Sequence, residues 1–128
     1  MMRGIPKLVG VLGAAAVLVA GVANADENSK LDEVLDRGKL IAGTGSTNAP
    51  WHFKDQSGEL VGFDVDVLKI IAKALFDDES KIEFVNQSGD SRIPNLTTNK
   101  VDVACQFMTV TGGRAQQVEF SIPYYREG

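Results

Sequence analysis

The spacing of hydrophobic positions changes period several times along the chain. Leu31, Val34 and Leu35 recur at helical spacing behind Ser29, a good N-cap, and Gly38 stops the run, so a short helix is expected from Lys30 to about Arg37. Lys39 to Gly43 reads as a short buried strand, and Thr44 to Pro50 as a loop. Trp51 to Lys54 and Glu59 to Phe63 flank Asp55-Gln56-Ser57-Gly58, a hairpin signal. The longest helix is expected to start at Asp64, with Val65, Leu68, Ala72 and Leu75 on one face and Val67, Ile70 and Ile71 widening the stripe. Asp64 and Asp66 sit two apart and face different ways, so they read as a cap and a solvated first-turn carboxylate. Lys81 to Asn86 is a strand, Gln87 to Ser91 a polar loop, and Arg92 to Asn99 a helix with Pro94 in its first turn. Val101 to Cys105 is another strand. Thr111 caps a helical turn through Gln117, and Val118 to Tyr125 is extended or irregular.

Strands separated by helices argue for an α/β fold with a mostly parallel sheet flanked by helices. In such sheets ligands bind outside the carboxyl ends of the strands. The loops Thr44 to Pro50, Gln87 to Ser91 and Gln106 to Thr111 leave those ends, and all are rich in Ser, Thr, Asn and Gln. Their convergence points to a polar ligand site.

Composition narrows the possibilities. With 44% hydrophobic residues and a net charge of -4, the chain is neither a disordered tail nor a nucleic-acid-binding surface. Its single cysteine, Cys105, precludes an intramolecular disulfide and sits in an apolar run with no basic neighbour, as a buried free thiol does. One histidine, His52, leaves no His-based metal site, and no metal or cofactor is expected. The first 25 residues stand apart. Arg3 and Lys7 precede an unbroken apolar or glycine run from Leu8 to Ala23, followed by Ala23-Asn24-Ala25 and then the acidic Asp26-Glu27. The run is shorter than the roughly 20 residues that span a bilayer. Residues 1–25 therefore read as a secretory signal peptide cleaved after Ala25, leaving residues 26–128 as the exported chain.

Candidate chemistry favours binding over catalysis. Gly43-Thr44-Gly45-Ser46-Thr47-Asn48 fails as a phosphate loop, because Asn48 stands where a glycine is needed and no helix follows. There is no G-x-S-x-G elbow, and His52 has no evident serine partner. Thr109, Thr111 and Arg114 cluster at the start of one helical turn after a strand. There, backbone N–H groups and a guanidinium can hold a carboxylate through two parallel hydrogen bonds. Arg114 reads equally as that grip or as a solvated surface arginine.

Gly62-Phe63-Asp64-Val65-Asp66-Val67, followed by Ile71, Ala72 and Leu75, resembles the signature of the extracellular solute-binding proteins of family 3. Arg37-Gly38-Lys39-Leu40, Ala49-Pro50-Trp51-His52-Phe53, Val101-Asp102 leading to Thr109-Val110-Thr111 and Arg114, and Phe120-Ser121-Ile122-Pro123-Tyr124 agree with it in order. The resemblance implies a periplasmic-binding-protein-like II fold, of which 26–128 would form an incomplete N-terminal lobe with no second lobe. It implies a periplasmic, monomeric receptor that delivers a polar or acidic amino acid to ABC permease subunits in the inner membrane. Arg114 would grip the ligand α-carboxylate, Thr109 would add a hydroxyl and an N–H to it, and Phe107 would offer its carbonyl to the α-ammonium. Asn48 stands where many members carry a stacking aromatic, with Trp51 close by. Arg92 either reads a side-chain carboxylate or is structural. A cyclohexadienyl dehydratase on the same scaffold is the alternative.

Overall fold

The computed structural model describes residues 29–126. The expected signal peptide and its cleavage site lie outside them. Among the described residues no helix is long and apolar enough to cross a membrane.

Helix α1 (Lys30–Arg37) begins with a reciprocal capping box. The Ser29 hydroxyl accepts the Asp32 N–H at 3.2 Å, and the Asp32 carboxylate accepts the Ser29 N–H at 3.1 Å. Gly38, with a left-handed φ of 73°, ends the helix. Of the expected apolar face only Val34 is buried; Leu31 and Leu35 stay half exposed, so α1 meets the core along one ridge.

Strand β1 (Leu40–Thr44) is the centre of a parallel sheet of order β5-β1-β6, with β5 at Ile82–Asn86 and β6 at Val103–Ala104. Ala42 lies opposite Phe84 on one side and Val103 on the other. The expected loop between β1 and the hairpin contains a short strand, β2 (Thr47–Asn48). It pairs with β3 (His52–Lys54), which pairs with β4 (Leu60–Val61), giving a small antiparallel sheet. The β3–β4 turn is tied by Asp55, whose Oδ1 accepts the N–H groups of Ser57 and Glu59 at 2.8 and 3.0 Å. The Ser57 hydroxyl, followed by the Glu59 N–H, holds the Asp55 carboxyl below the usual range.

Helix α2 (Phe63–Phe76) supplies much of the core. Leu68 and Ala72 pack with Val34, Leu40, Ala42 and Cys105, and Ile71, Leu75, Ile82 and Phe84 line the margin. The cap of α2 departs from the sequence reading. Gly62, not Asp64, is the N-cap, and Asp64 lies fully buried in the first turn. With Leu68 and Ala72 it shares the i, i+4 stripe that faces inward, and burial of that stripe carries the carboxyl in with it. Asp66 is solvated as expected.

After β5 a 3₁₀ turn (Gly89–Ser91) runs into α3 (Arg92–Thr97), and after β6 a single turn forms α4 (Gly112–Ala115) capped by the Thr111 hydroxyl. Both helices are shorter than the expected Arg92–Asn99 and Thr111–Gln117 spans. Asn99 takes φ 57°, which ends α3. Since β1, β5 and β6 are parallel, the chain after Thr44, Asn86 and Ala104 leaves from one edge.

Candidate functional site

That edge is laced together by polar contacts. Gln87 N–H donates to Thr44 O at 2.9 Å and Cys105 N–H to Gly43 O at 3.0 Å. The Thr44 hydroxyl donates to Cys105 O at 2.8 Å, and Gln106 Nε2 to Gln87 O at 3.0 Å. Gln87 and Gln106 are buried here. Gln87 accepts from Asn95 Nδ2 at 2.7 Å, while Gln87 Nε2 and Gln106 Oε1 have no partner among the described residues. Gly45 is required for this packing: a Cβ there would stand 2.6 Å from His52 Cδ2.

The two arginines of the edge are held differently. Arg92 donates from Nε to Gly89 O at 2.7 Å and from Nη1 to Gln106 O at 3.0 Å and Phe107 O at 3.4 Å, bridging the loops after β5 and β6. Burial, and then the charge of Arg114, lower its pKa. Arg114 donates only from Nη1, to Thr109 O at 2.8 Å; among the described residues its other guanidinium nitrogens have no partner. Thr109 thus orients Arg114, and the unpaired side of the fork remains available for two parallel bonds to a carboxylate.

Aromatic rings gather beside these loops. Trp51 stacks on Phe107 at 4.6 Å between centroids, and meets Tyr125 at 4.5 Å and Phe63 at 5.6 Å edge-on. Phe107 has a φ of 44°, a left-handed conformation that costs a non-glycine residue about 1 kcal/mol or more. The Arg92 contact to its carbonyl and the Trp51 stack hold it there. Asn48 lies exposed on β2, joined to Trp51 by the Trp51 N–H, which donates to Asn48 O at 2.8 Å. A hollow of about 420 Å³ opens next to the rings, between Phe107–Val110 and Phe120–Arg126.

Beneath the rings lies a polar cluster in which His52, Asp64 and Cys105 are buried and the hydroxyl of the exposed Tyr124 reaches in. Asp64 Oδ2 is 2.8 Å from His52 Nδ1, and Asp64 Oδ1 accepts the Tyr124 hydroxyl at 2.9 Å and the Cys105 thiol at 3.6 Å. The single thiol proton is shared with the Tyr124 oxygen, 3.1 Å from Sγ. Burial pushes the Cys105 thiol up to about 12, and raises the Tyr124 hydroxyl as well. Cys105 is therefore the inert buried thiol expected from its apolar setting.

Residues 40–128 match the bacterial extracellular solute-binding proteins, family 3. The chain belongs to this family. It is 35% identical over 99 residues to the glutamine-binding protein of Geobacillus stearothermophilus, covering 77% of this chain and 38% of that protein. It is 30% identical over 128 residues to the cyclohexadienyl dehydratase of Pseudomonas aeruginosa, covering 46% of the latter. Among solved structures it resembles the arginine-bound form of domain 1 from TmArgBP, with a TM-score of 0.69 and 40% identity over 73% of this chain and 72% of that one. This family member spans about two-fifths of the length of the curated relatives it matches. Its α/β fold is that of a type-2 periplasmic-binding-protein lobe.

The structure brings Trp51 against Phe107, Arg92 at the start of α3 against the Phe107 carbonyl, and Arg114 in α4 against Thr109. Asn48 joins them only through its backbone. The Phe107 carbonyl, which the family resemblance assigns to an ammonium, accepts from Arg92 at 3.4 Å with one of its two lone pairs. Sequence reasoning missed the cluster of His52, Asp64, Cys105 and Tyr124. Its one signal was the i, i+4 spacing of Asp64 with Leu68, which places a carboxyl on a buried stripe.

Proposed function

We propose that this family member is the amino-acid-capturing component of an ABC importer, holding a polar amino acid by its α-carboxylate. The observation that carries this reading is Arg114. One guanidinium nitrogen is fixed on the Thr109 carbonyl and the rest have no partner among the described residues, beside a loop whose backbone leaves the carboxyl end of the sheet. The relatives named for glutamine and arginine binding support an amino-acid ligand. Thr109, Trp51, Phe107 and Asn48 complete the proposed ligand face. Arg92 donates to backbone carbonyls, which favours a positioning role over reading a side-chain carboxylate and so favours a neutral polar ligand over an acidic one.

The protein is proposed to act in the periplasm as a monomer, exported by a leader cleaved after Ala25 and docking on permease subunits. The arginine-bound form of domain 1 from TmArgBP supports testing this chain directly. Calorimetry with glutamine, glutamate and arginine should show binding of at least one, and Arg114→Ala should weaken it by about 2 kcal/mol or more, since a ligand carboxylate loses a charge-assisted pair. Unchanged affinity in Arg114→Ala would remove that residue from the site.

A dehydratase is the second reading, favoured by the match of the whole chain to the Pseudomonas enzyme. It requires a general acid against the substrate. Asp64 and Cys105 are buried and engaged with each other, and the ligand-face residues Arg114, Thr109, Phe107, Asn48 and Trp51 include no carboxyl. Prephenate turnover by the full chain would establish this reading in place of transport.

A further inference from the structure

We infer that Asp64 is a positioning residue for the ligand face. Its buried carboxyl fixes, through His52, Tyr124 and Cys105, the backbone segments that carry Trp51, Phe63, Tyr125 and Phe107. The inference rests on reading that aromatic face as part of the amino-acid site.

The first support is the cost of the arrangement. Asp64 has no exposed surface, and a buried carboxyl is unfavourable unless its oxygens are hydrogen-bonded. A leucine would continue the stripe of Leu68 and Ala72 more cheaply, so packing alone does not account for an acid at this position. Both oxygens are engaged, one by His52 and the other by Tyr124 and Cys105.

The second support is where the partners sit. His52 follows Trp51, Asp64 follows Phe63, Tyr124 precedes Tyr125, and Cys105 stands two before Phe107. Neighbouring side chains in extended chain point to opposite sides. Drawing His52 inward therefore presents Trp51 outward, where its ring lies 4.5 Å from that of Tyr125; Tyr124 reaches Asp64 with its hydroxyl only, its ring staying 44% exposed against Phe63. Phe107 has the wrong parity for this, since Cys105 and Gln106 are both buried ahead of it. Its positive φ re-aims the chain, and it comes to stack on Trp51. The cluster thus ties together β3, α2, the exit of β6 and the final described segment, and every one of these carries an aromatic of the face. A hydrogen bond needs a set distance and angle. For that reason a polar tie sets the register of these segments more narrowly than apolar contact would.

Trp51 is the only tryptophan in the chain, so its fluorescence and near-ultraviolet circular dichroism report the face with no ligand present. Tyr124→Phe removes one hydroxyl and keeps the ring; Asp64→Asn keeps the volume. Val34→Ala, in the core on α1, serves as a control for general loosening. In the full chain both cluster variants should retain far-ultraviolet dichroism. They should also shift Trp51 emission to longer wavelength, raise its quenching by acrylamide and diminish its near-ultraviolet signal. Val34→Ala should leave all three Trp51 signals as in the wild type. Should Asp64→Asn fail to fold, Tyr124→Phe decides alone. Unaltered Trp51 signals in a folded Tyr124→Phe protein, or equal changes in Val34→Ala, would overturn the inference. Because the readout needs no ligand, a failure to bind glutamine or arginine would count against the transport reading and leave this result standing.

Discussion

Helix α2 buries one stripe of side chains by two different means. Toward its middle, Leu68 and Ala72 meet Val34, Leu40 and Ala42 in an apolar core. One turn earlier the same stripe carries Asp64, which meets His52, Tyr124 and Cys105 through directed polar contacts. The apolar end depends on volume and is indifferent to rotation of its groups, whereas the polar end depends on which atom faces which. The first holds the lobe together; the second, on the inference above, holds the aromatic edge in register.

The sharpest way to break this contrast is to truncate the polar end and reshape the apolar one. Asp64→Ala leaves a buried imidazole N–H and a tyrosine hydroxyl without their acceptor, and should cost about 3 kcal/mol, read as a lower urea midpoint at constant slope. The matching gentle change at the apolar end, Leu68→Met, should cost less than about 1.5 kcal/mol. A smaller loss for Asp64→Ala than for Leu68→Met would mean that the cluster contributes no more than filler.

Alkali sharpens the contrast with a smaller effect. The Cys105 thiol rises from 9.0 to about 12 on folding, first through burial, and Tyr124 rises too for the same first reason. A thiol that keeps its proton only in the folded state binds more protons there than when unfolded. Its stabilisation is therefore present below 9.0 and is lost as pH climbs toward about 12. The urea midpoint should fall across that window, and fall less in Cys105→Ala. At pH 8 the folded protein should leave Cys105 unmodified by thiol reagents that label it promptly in urea.

Most of the lobe is legible in the sequence because its elements obey local rules. Ser29 and Gly38 bound α1, the alternation around the Asp55 turn gives the hairpin, and the 3.6-residue stripe gives α2. The convergence of the loops after β1, β5 and β6 is legible from strand polarity, since parallel strands place their exits together. What escaped is nonlocal. Asp64 and Tyr124 are 60 residues apart, and His52 meets Asp64 only because β3 folds onto α2. Nothing near Asp64 in the chain distinguishes a buried acceptor from a cap, and both are common in a first turn. Similarly, the backbone bonds of Arg92 depend on the path of the β6 exit loop, which no motif encodes.

The guanidinium of Arg92 bears on how this edge can be rebuilt. Surface loops usually tolerate exchange one at a time. Here the loop after β5 and the loop after β6 share a rivet, with Arg92 rooted in one and the carbonyls of Gln106 and Phe107 in the other. They are a single transplantable cassette. A graft that swaps only one of them leaves either a guanidinium without its carbonyls or a left-handed phenylalanine without its brace, so recombination between relatives should succeed when it carries residues 87–107 as one block.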